Sequence, residues 1–290
     1  MTHSGSVTGL SFGLVVSPQH RTWATNVELW ELGESLGFDS IWINDHFHSL
    51  GETIDNDAFE ASTVLAAIAM ATTRPKIGVL TYGNTHRLPT VLAKEMVTID
   101  HMSGGRVILG IGAGWNEPEH AAYSIPFPGA GARVAMLDEA LELIKLLETN
   151  DRTDYQGTYY HVVDAPFVPK PVHGHLPILI GGSKPKMLRV TGKYADLWDN
   201  SAEPAEFKAG LETVRGHARE AGRDPADVVG SARVWRPGMS ETEFVDRARG
   251  YHAAGVRQML LTAPSDPAGT ETLHALAERM IPELRAELGG

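Results

Sequence analysis

Arg106-Val-Ile-Leu-Gly-Ile-Gly-Ala-Gly-Trp115 is the stretch of the chain that decides the fold. It predicts a fully buried strand that ends in small residues and is followed at once by a large aromatic side chain. The glycines at positions 110, 112 and 114 remove side chains where another surface, a backbone or a ligand must come close. A strand of this kind opens a slot at its carboxyl end.

Apolar runs and segments of helical periodicity alternate along the rest of the chain. Strands are predicted over 10–17, 40–45, 76–82, 106–112, 177–181, 195–199, 228–234 and 257–262, and helices near 25–36, 59–72, 89–102, 133–149, 184–193, 204–221, 240–254 and 268–287. Several strands are dense in Val, Ile and Leu, which is typical of parallel strands covered on both faces. Eight strand–helix units predict an α/β fold, a (β/α)₈ TIM barrel, with an open doubly wound sheet as the alternative.

The chain is expected to form one domain over 1–290, because no Pro-, Gly- or Ser-rich linker divides it. Two irregular stretches are predicted as insertion loops. The first, 115–132, follows strand 4 and is expected over the active face. The second, 150–176, precedes strand 5 and is expected to contain a short strand pair. Ser240 followed by Glu243 predicts a capping box at the seventh helix.

Composition excludes several classes of function. The 36 acidic and 25 basic residues give a formal net charge of −11, which argues against nucleic-acid and anionic-membrane partners. The chain has no cysteine, so disulfides, thiolate nucleophiles and Cys-ligated metals are excluded. The longest apolar run, 64–71, is too short to span a bilayer. Residues 1–7 lack the features of a signal peptide, and a cytoplasmic soluble protein is expected.

The carboxyl ends of barrel strands carry the chemistry, and the second end contains Asp45-His46-Phe-His48. His46 and His48 invite a metal interpretation, but the later strand ends lack the further ligands that a metal site needs, so no metal is predicted. Asp45 and His46 are instead predicted to form an acid/base pair in which the carboxylate orients the imidazole. A histidine merely packed at the barrel rim is the alternative.

The fifth strand end predicts an anion site. Gly181, Gly182 and Ser183 precede a helix, with Ser183 suited to the N-cap and Pro185 to the first turn. Glycine amides at a helix N-terminus bind anions, and Lys184 and its near neighbour Lys186 add positive charge. A tight turn with an ordinary cap is the alternative.

Aromatic residues fall at or near several strand ends, and Trp115 is expected to face a ligand rather than fill a barrel layer. A flat heteroaromatic cofactor that carries a phosphate suits this combination of glycines, aromatic side chains, a histidine and an anion site at the strand ends.

Several segments resemble the luciferase-like monooxygenase superfamily, in particular its short actinobacterial branch of F420-dependent oxidoreductases. The matching segments are Leu36-Gly-Phe-Asp-Ser-Ile-Trp-Ile-Asn-Asp-His46, 81–89, Ile99-Asp-His-Met-Ser-Gly-Gly-Arg106, Leu109-Gly-Ile-Gly-Ala-Gly-Trp-Asn-Glu-Pro-Glu-His120, Ile125-Pro-Phe-Pro128, 164–171 and Pro177-Ile-Leu-Ile-Gly-Gly-Ser183. The resemblance implies a barrel with F420, or alternatively FMN, at the strand carboxyl ends. It also implies a non-proline cis peptide within 80–84, and His46 beside the reacting carbon as proton donor or acceptor.

The resemblance further implies a set of cofactor-binding residues. One group lies along the ring, a second lines the opposite wall, and a third holds the phosphate, with a single asparagine approaching that side. These residues are, in chain order, Leu80, Thr81, Tyr82, Gly83, Asn84, Gly112, Ala113, Gly114, Trp115, Gly181, Gly182, Ser183 and Asn200.

One position departs from the family pattern. Sugar-phosphate dehydrogenases of this family carry a catalytic glutamate where this chain has Trp115, which argues against a sugar-phosphate substrate; no role is assigned to Glu117 or Glu119. The predicted function is hydride transfer between F420 and a small organic substrate that stacks near Trp115 and Trp235. The alternatives are an FMNH₂-dependent monooxygenase, a non-catalytic flavin-binding barrel and a metal-dependent hydrolase. Relatives are commonly homodimers, although no sequence feature specifies an interface.

Overall fold

Eight parallel strands close into a barrel in the computed structural model, which describes residues 9–51 and 53–289. Residues 1–7, for which no signal peptide is expected, lie outside the described residues. The strands are β1 Ser11–Val15, β2 Ser40–Ile43, β3 Lys76–Val79, β4 Tyr82–Gly83, β5 Val107–Gly112, β6 Arg152–Gln156, β7 His161–Pro166, β8 Ile178–Gly181, β9 Leu197–Asp199, β10 Val229–Trp235 and β11 Val256–Thr262.

The barrel closes in the order β1-β2-β3-β5-β8-β9-β10-β11, with β11 paired to β1 and every pair parallel. β4 continues the line of β3 and pairs with β5. β6 and β7 form a separate antiparallel hairpin in the second insertion loop, as predicted. The predicted TIM barrel is therefore confirmed, and the doubly wound alternative is excluded by the closure.

Helices follow the barrel strands and cover the outside of the barrel. They are α1 Trp23–Ser35, α2 Ala61–Ala71, α3 Pro89–Ser103, α4 Glu117–Ala122, α5 Ala130–Thr149, α6 Pro185–Tyr194, α7 Pro204–Glu220, α8 Glu241–Ala253, α9 Pro267–Ala275 and α10 Ile281–Leu288. The capping box of Ser240 and Glu243 is present at α8. Two details differ from the sequence prediction: α4 lies inside the first insertion loop, and a π-helical turn at Leu276–Met280 divides the last helix. No helix among the described residues has the length and apolarity needed to cross a bilayer.

Inside the barrel, one apolar side chain comes from each strand except β3. These seven side chains form a cluster separate from the core beneath the helices: Val15, Trp42, Ile108, Leu179, Leu197, Val229 and Leu260. Trp42 is fully buried and takes the place of a side chain from β3, since a Cβ on Gly78 would lie 2.6 Å from its ring. This layer fills the interior of the barrel. The space between the layer and the carboxyl ends of the strands is where a barrel of this kind carries its functional site.

The glycines of β5 allow the chain of β3 and β4 to lie directly against it. A Cβ on Gly110 would overlap the carbonyl oxygen of Val79, and one on Gly112 would lie 2.9 Å from Thr81 Oγ1. Ile77 pairs with Val107 and Tyr82 with Ile111. The β3–β4 side therefore carries one more residue than β5 over the same length, which is a bulge.

Gly110→Ala is expected to lower the free energy of unfolding by about 3 kcal/mol, because the new methyl group meets a backbone carbonyl rather than a flexible side chain. Urea unfolding at neutral pH measures the change. Gly216→Ala is the matched control: Gly216 lies inside α7 with open space around it, so the same substitution should raise stability by about 0.5–1 kcal/mol. Equal stability of the two variants would contradict the close contact.

Candidate functional site

A cavity of about 790 Å³ opens at the carboxyl ends of β2, β4, β5, β8 and β9. Its size suits a ligand as large as a cofactor ring system with part of its tail. All predicted site residues except Asn84 line it: Asp45, His46, Leu80, Thr81, Tyr82, Gly83, Gly112, Ala113, Gly114, Trp115, Gly181, Gly182, Ser183 and Asn200. The barrel thus brings together residues that are far apart in the sequence.

Asn84 is the exception, and its placement corrects the prediction. Its side-chain amide donates to the Tyr160 hydroxyl at 3.1 Å, so the group contacts the second insertion loop instead of the cavity. Tyr82 lines the cavity, but its ring is fully buried and its hydroxyl lies 3.2 Å from Ser62 Oγ on α2. The peptide between Leu80 and Thr81 is cis, as the resemblance implies.

His46 is held by a carboxylate that the sequence analysis left without a role. Its Nδ1 lies 3.0 Å from Glu119 Oε2, and the Glu119 side chain is fully buried. Glu119 also accepts from the backbone N–H of Phe47 and from Asn116 Nδ2. Burial acts to raise the pKa of Glu119, but the hydrogen bonds from His46 and Phe47 outweigh it and lower the pKa below its ordinary value.

An ionised Glu119 only accepts hydrogen bonds, so His46 Nδ1 carries the proton that joins them. Nε2 has no partner among residues 9–51 and 53–289, and the ring lines the cavity. In the neutral imidazole Nε2 is an acceptor, and in the imidazolium it is a donor. His46 is therefore built to take up or release a proton at Nε2 toward the cavity.

Asp45 does not orient His46, and the predicted Asp45–His46 pair is wrong. The carboxylate accepts from His86 Nδ1 at 3.0 Å, from the two terminal nitrogens of Arg87 at 2.9 and 3.0 Å, and from the Gly83 amide at 3.1 Å. Burial favours the neutral acid, but His86 and the charge of Arg87 lower the pKa of Asp45. Asp45 therefore remains an anion that fastens β2 to the segment after β4.

The two carboxylates are linked through His86. His86 Nδ1 donates to Asp45, and its Nε2 lies 3.9 Å from Glu119 Oε2. Arg87 at one end and His46 at the other complete a buried series in which basic side chains alternate with carboxylates. His86, Arg87 and Glu119 were missed as site residues: His86 and Arg87 lie shortly after β4, and Glu119 lies on α4, beyond the end of β5.

The turn after β8 is exposed and lines the cavity with Gly181, Gly182 and Ser183. Gly182 has φ of +111°, and its carbonyl accepts from Trp198 Nε1 at 2.8 Å, which fixes the turn. Lys184 is the N-cap of α6 and Pro185 its first residue, so the prediction of Ser183 as N-cap is wrong by one position. The arrangement retains the glycine amides, the helix N-terminus and the two lysines of the predicted anion site.

Asp199, at the end of β9, is a further titratable group in the cavity. It accepts from Ser231 Oγ on β10 at 2.8 Å. Burial raises the pKa of Asp199 to about 6, and the Ser231 hydroxyl and the charge of Arg233 oppose that rise. The sequence analysis placed Asp199 at a strand end but assigned it no role.

Two tryptophans at strand ends lie in different environments. Trp115 is 67% exposed at the cavity edge, with its ring edge-on to His46 at 5.7 Å between centroids. Trp235 is buried away from the cavity, and its Nε1 donates to the Met239 carbonyl, so the prediction that substrate stacks near it is wrong.

His48 Nδ1 bonds to the Ser49 carbonyl, and no cluster of three metal-ligating side chains exists within 9–51 and 53–289.

Comparison with known proteins gives matches over nearly the whole chain. The sequence model described as luciferase-like monooxygenase matches residues 6–285. An F420-dependent glucose-6-phosphate dehydrogenase of Kineococcus radiotolerans is 30% identical over 70% of this chain and 66% of that protein. A 5,10-methylenetetrahydromethanopterin reductase of Archaeoglobus fulgidus is 28% identical over 96% of this chain and 78% of that protein. The chain thus spans 66% and 78% of the length of these two relatives.

A solved structure has the same fold. An F420-dependent secondary alcohol dehydrogenase in complex with an F420–acetone adduct superposes with a TM-score of 0.84 and 21% identity, over 93% of this chain and 99% of that one. At this identity the likeness supports the barrel architecture.

Arg87→Met is expected to cost about 3 kcal/mol at pH 7, because it leaves the buried Asp45 carboxylate without its main countercharge. In the native protein the lowered pKa of Asp45 stabilises the fold above the ordinary range of an aspartate, and this contribution is lost as the pH falls through the lowered pKa. The difference in unfolding free energy between the variant and the native protein should therefore shrink from about pH 4 to about pH 2. Denaturant unfolding across this range measures it.

The control is Arg152→Met, which breaks the exposed ion pair of Arg152 with Asp164 on the β6–β7 hairpin. Its unfolding midpoint should match that of the native protein at both pH values. If the Arg87→Met variant were as stable as this control, the buried pair of Asp45 and Arg87 would not stabilise the barrel.

Proposed function

Because the chain belongs to the luciferase-like monooxygenase family, we propose that it is an oxidoreductase that transfers a hydride between the deazaflavin F420 and a small organic substrate. The observation that carries the proposal is the His46–Glu119 pair: His46 lines a large cavity, and its Nδ1 is held by the buried carboxylate. The F420-dependent relatives support the choice of cofactor.

The residues present fit such a cofactor. Gly112, Ala113 and Gly114 leave the cavity wall without bulky side chains, as a flat ring system requires. The amides of the turn at Gly182 and the neighbouring lysines suit a phosphate. The residues proposed to hold the cofactor are those that line the cavity, with Asn200 on the phosphate side: its Oδ1 accepts from the Ala202 amide, which fixes the side chain.

Bound F420 supplies two-electron hydride chemistry, because it has carbon where flavin has nitrogen at position 5. The chain itself supplies the proton that accompanies the hydride. His46 exchanges it at Nε2, while Glu119 keeps Nδ1 protonated and stabilises the imidazolium. Trp115 covers the outer side of His46, and the fully buried Glu119 keeps its charge away from water.

We also propose a homodimer through the face formed by α2 and α3. Val91 and Met102 on α3 are 47% and 41% exposed and line a groove of about 660 Å³ between these helices. Met70 on α2 is 68% exposed and shares the helical face of Ala66, which lines the same groove. Exposed apolar side chains on neighbouring helices support self-association about a two-fold axis, for which light scattering gives the mass.

Titration of the purified protein with F420 should give saturable quenching of F420 fluorescence, with FMN binding at least tenfold more weakly. Gly182→Ala should weaken F420 binding about tenfold, since an L-residue at φ of +111° is strained and displaces the amides of the turn. Gly216→Ala on α7 is the control and should bind F420 like the native chain. Preferential binding of FMN, with oxygen consumption on reduction, would favour a monooxygenase instead.

His46→Ala is expected to lower turnover about 10²-fold while the Kd for F420 changes less than twofold, because the side chain moves a proton and does not anchor the cofactor. Glu119→Gln should lower turnover about tenfold and move the pH profile toward acid, since the charged imidazole loses its carboxylate partner. Stopped-flow absorbance of F420 against a panel of alcohols, ketones and activated alkenes measures both.

Glu117→Gln is the matched control, because Glu117 lies two residues away on α4 with its side chain exposed. It should leave turnover and pH profile unaltered. Native turnover in His46→Ala would remove the histidine from the mechanism, and an unshifted profile in Glu119→Gln would reduce that carboxylate to a structural role.

A further inference from the structure

A second cavity, of about 270 Å³, lies over the ends of β1, β2, β10 and β11. We call it the arginine pocket, because Arg21 and Arg233 line it together with His20. None of its lining residues is an aspartate or a glutamate, although the chain as a whole carries a formal charge of −11. A concentration of positive charge in a strongly acidic protein marks a place where a negative group is held.

Arg21 is fixed in this pocket by neutral acceptors. Its terminal nitrogens donate to the carbonyls of Ser17, Ala263 and Pro264 at 2.9–3.0 Å. These carbonyls orient the guanidinium, and no carboxylate among residues 9–51 and 53–289 forms an ion pair with it. Burial lowers the pKa of Arg21, and an anion beside it would offset this cost.

Arg233 lies on the same face of β10 as Ser231, the residue that bonds Asp199 in the main cavity. It is exposed, and within residues 9–51 and 53–289 it has neither a hydrogen-bond partner nor an ion pair. A guanidinium presents donors in a rigid fork that matches a carboxylate or phosphate, so Arg233 at the barrel mouth is available to an anionic ligand.

Two buried polar atoms of pocket residues also lack partners. They are Arg21 Nε and Thr262 Oγ1, and neither meets a hydrogen-bonding atom in the described part of the chain. Buried donors without partners are rare in folded proteins and mark places where a ligand or ion completes the set. Within the described residues, the Arg233 guanidinium, Thr262 Oγ1 and Arg21 Nε therefore line one pocket with no hydrogen-bond partner for any of the three.

The arginine pocket and the main cavity share Asn44 and Leu50 as lining residues. Both cavities belong to the mouth of one barrel, so a single molecule can occupy them together. On the basis of the proposed function, we propose that the substrate carries an anionic oxygen group, carboxylate or phosphoryl, which the arginine pocket binds while the reacting carbon lies near His46.

This division assigns the two positive regions of the mouth to different partners. The turn at Gly182 follows β8 and leads to Lys184 and Lys186. The arginine pocket lies over β10, β11, β1 and β2. Asp199 lies at the end of β9, the strand between β8 and β10. Arg233 is therefore a substrate-binding residue that selects acids over their neutral analogues.

Calorimetric titration of the full-length protein at constant ionic strength tests the proposal with benzoate, inorganic phosphate and benzamide. Benzoate or phosphate should bind saturably in the millimolar range, and benzamide, the neutral analogue of benzoate, at least tenfold more weakly. The stronger of the two anions distinguishes a carboxylate from a phosphoryl substrate. Equal binding of benzoate and benzamide, together with no saturable binding of phosphate, would overturn the proposal with no variant required.

Arg233→Gln should weaken anion binding at least tenfold and change benzamide binding less than twofold. The matched control is Arg236→Gln, three residues further along, where an exposed arginine does not line the pocket. It should bind the anions like the native chain. Native anion affinity in Arg233→Gln, or the same loss in both variants, would remove Arg233 from the site.

F420 titration of the same proteins separates this proposal from the assigned function. Arg233→Gln should bind F420 with native affinity, since the cofactor phosphate is proposed to lie at the opposite side of the mouth. Loss of F420 binding in this variant would assign the pocket to the cofactor and overturn the substrate proposal. Absence of F420 binding in the native chain would contradict the proposed function, whatever the anion titrations show.

Discussion

The site depends on one steric relation, the contact of β5 with β3 and β4 where β5 has no side chains. Gly110 lies against the Val79 carbonyl and Gly112 against Thr81, so the extra residue of the bulge is accommodated inside the barrel wall. Because the bulge lies there, Leu80 and Thr81 are directed to the cavity and Gly83 comes within reach of Asp45. Any side chain on Gly110 would push β3 and β4 outward and separate these groups.

Buried charged groups add a second set of contacts that hold the site together. Asp45 draws the Gly83 amide, His86 and Arg87 toward the end of β2, and Glu119 draws His46 and the Phe47 amide toward α4. The loops after three consecutive barrel strands are thereby tied to each other by ionised groups that would be unfavourable alone. His46 needs this support, since it belongs to a loop and its proton chemistry depends on a fixed Nδ1 partner.

The strand and helix pattern of the sequence was sufficient to predict the barrel, because parallel strands covered on both faces and glycine-ended strands leave strong local signals. The error at Asp45 has a physical reason: successive side chains of an extended segment point in different directions, so adjacency in sequence does not make a hydrogen-bonded pair. Glu119 lies on α4, a six-residue helix that tertiary contacts hold in place, and no periodicity reveals it. Asn84 and Trp235 were misplaced because strand ends alone do not determine which way a side chain faces.

The charge pattern of the mouth explains why an acidic protein is suited to anionic ligands. Arg21 and Arg233 line the pocket beside β1 and β10, while Asp45, Glu119 and Asp199 line the main cavity. A molecule with an anionic end is then oriented by attraction to the arginines. Such orientation fixes which carbon approaches His46 without any contact to that carbon itself. Under the proposed function, the arginine pocket selects a substrate by its remote charge, and the region near His46 holds the carbon that reacts. Separate parts of one barrel mouth thus do the two tasks.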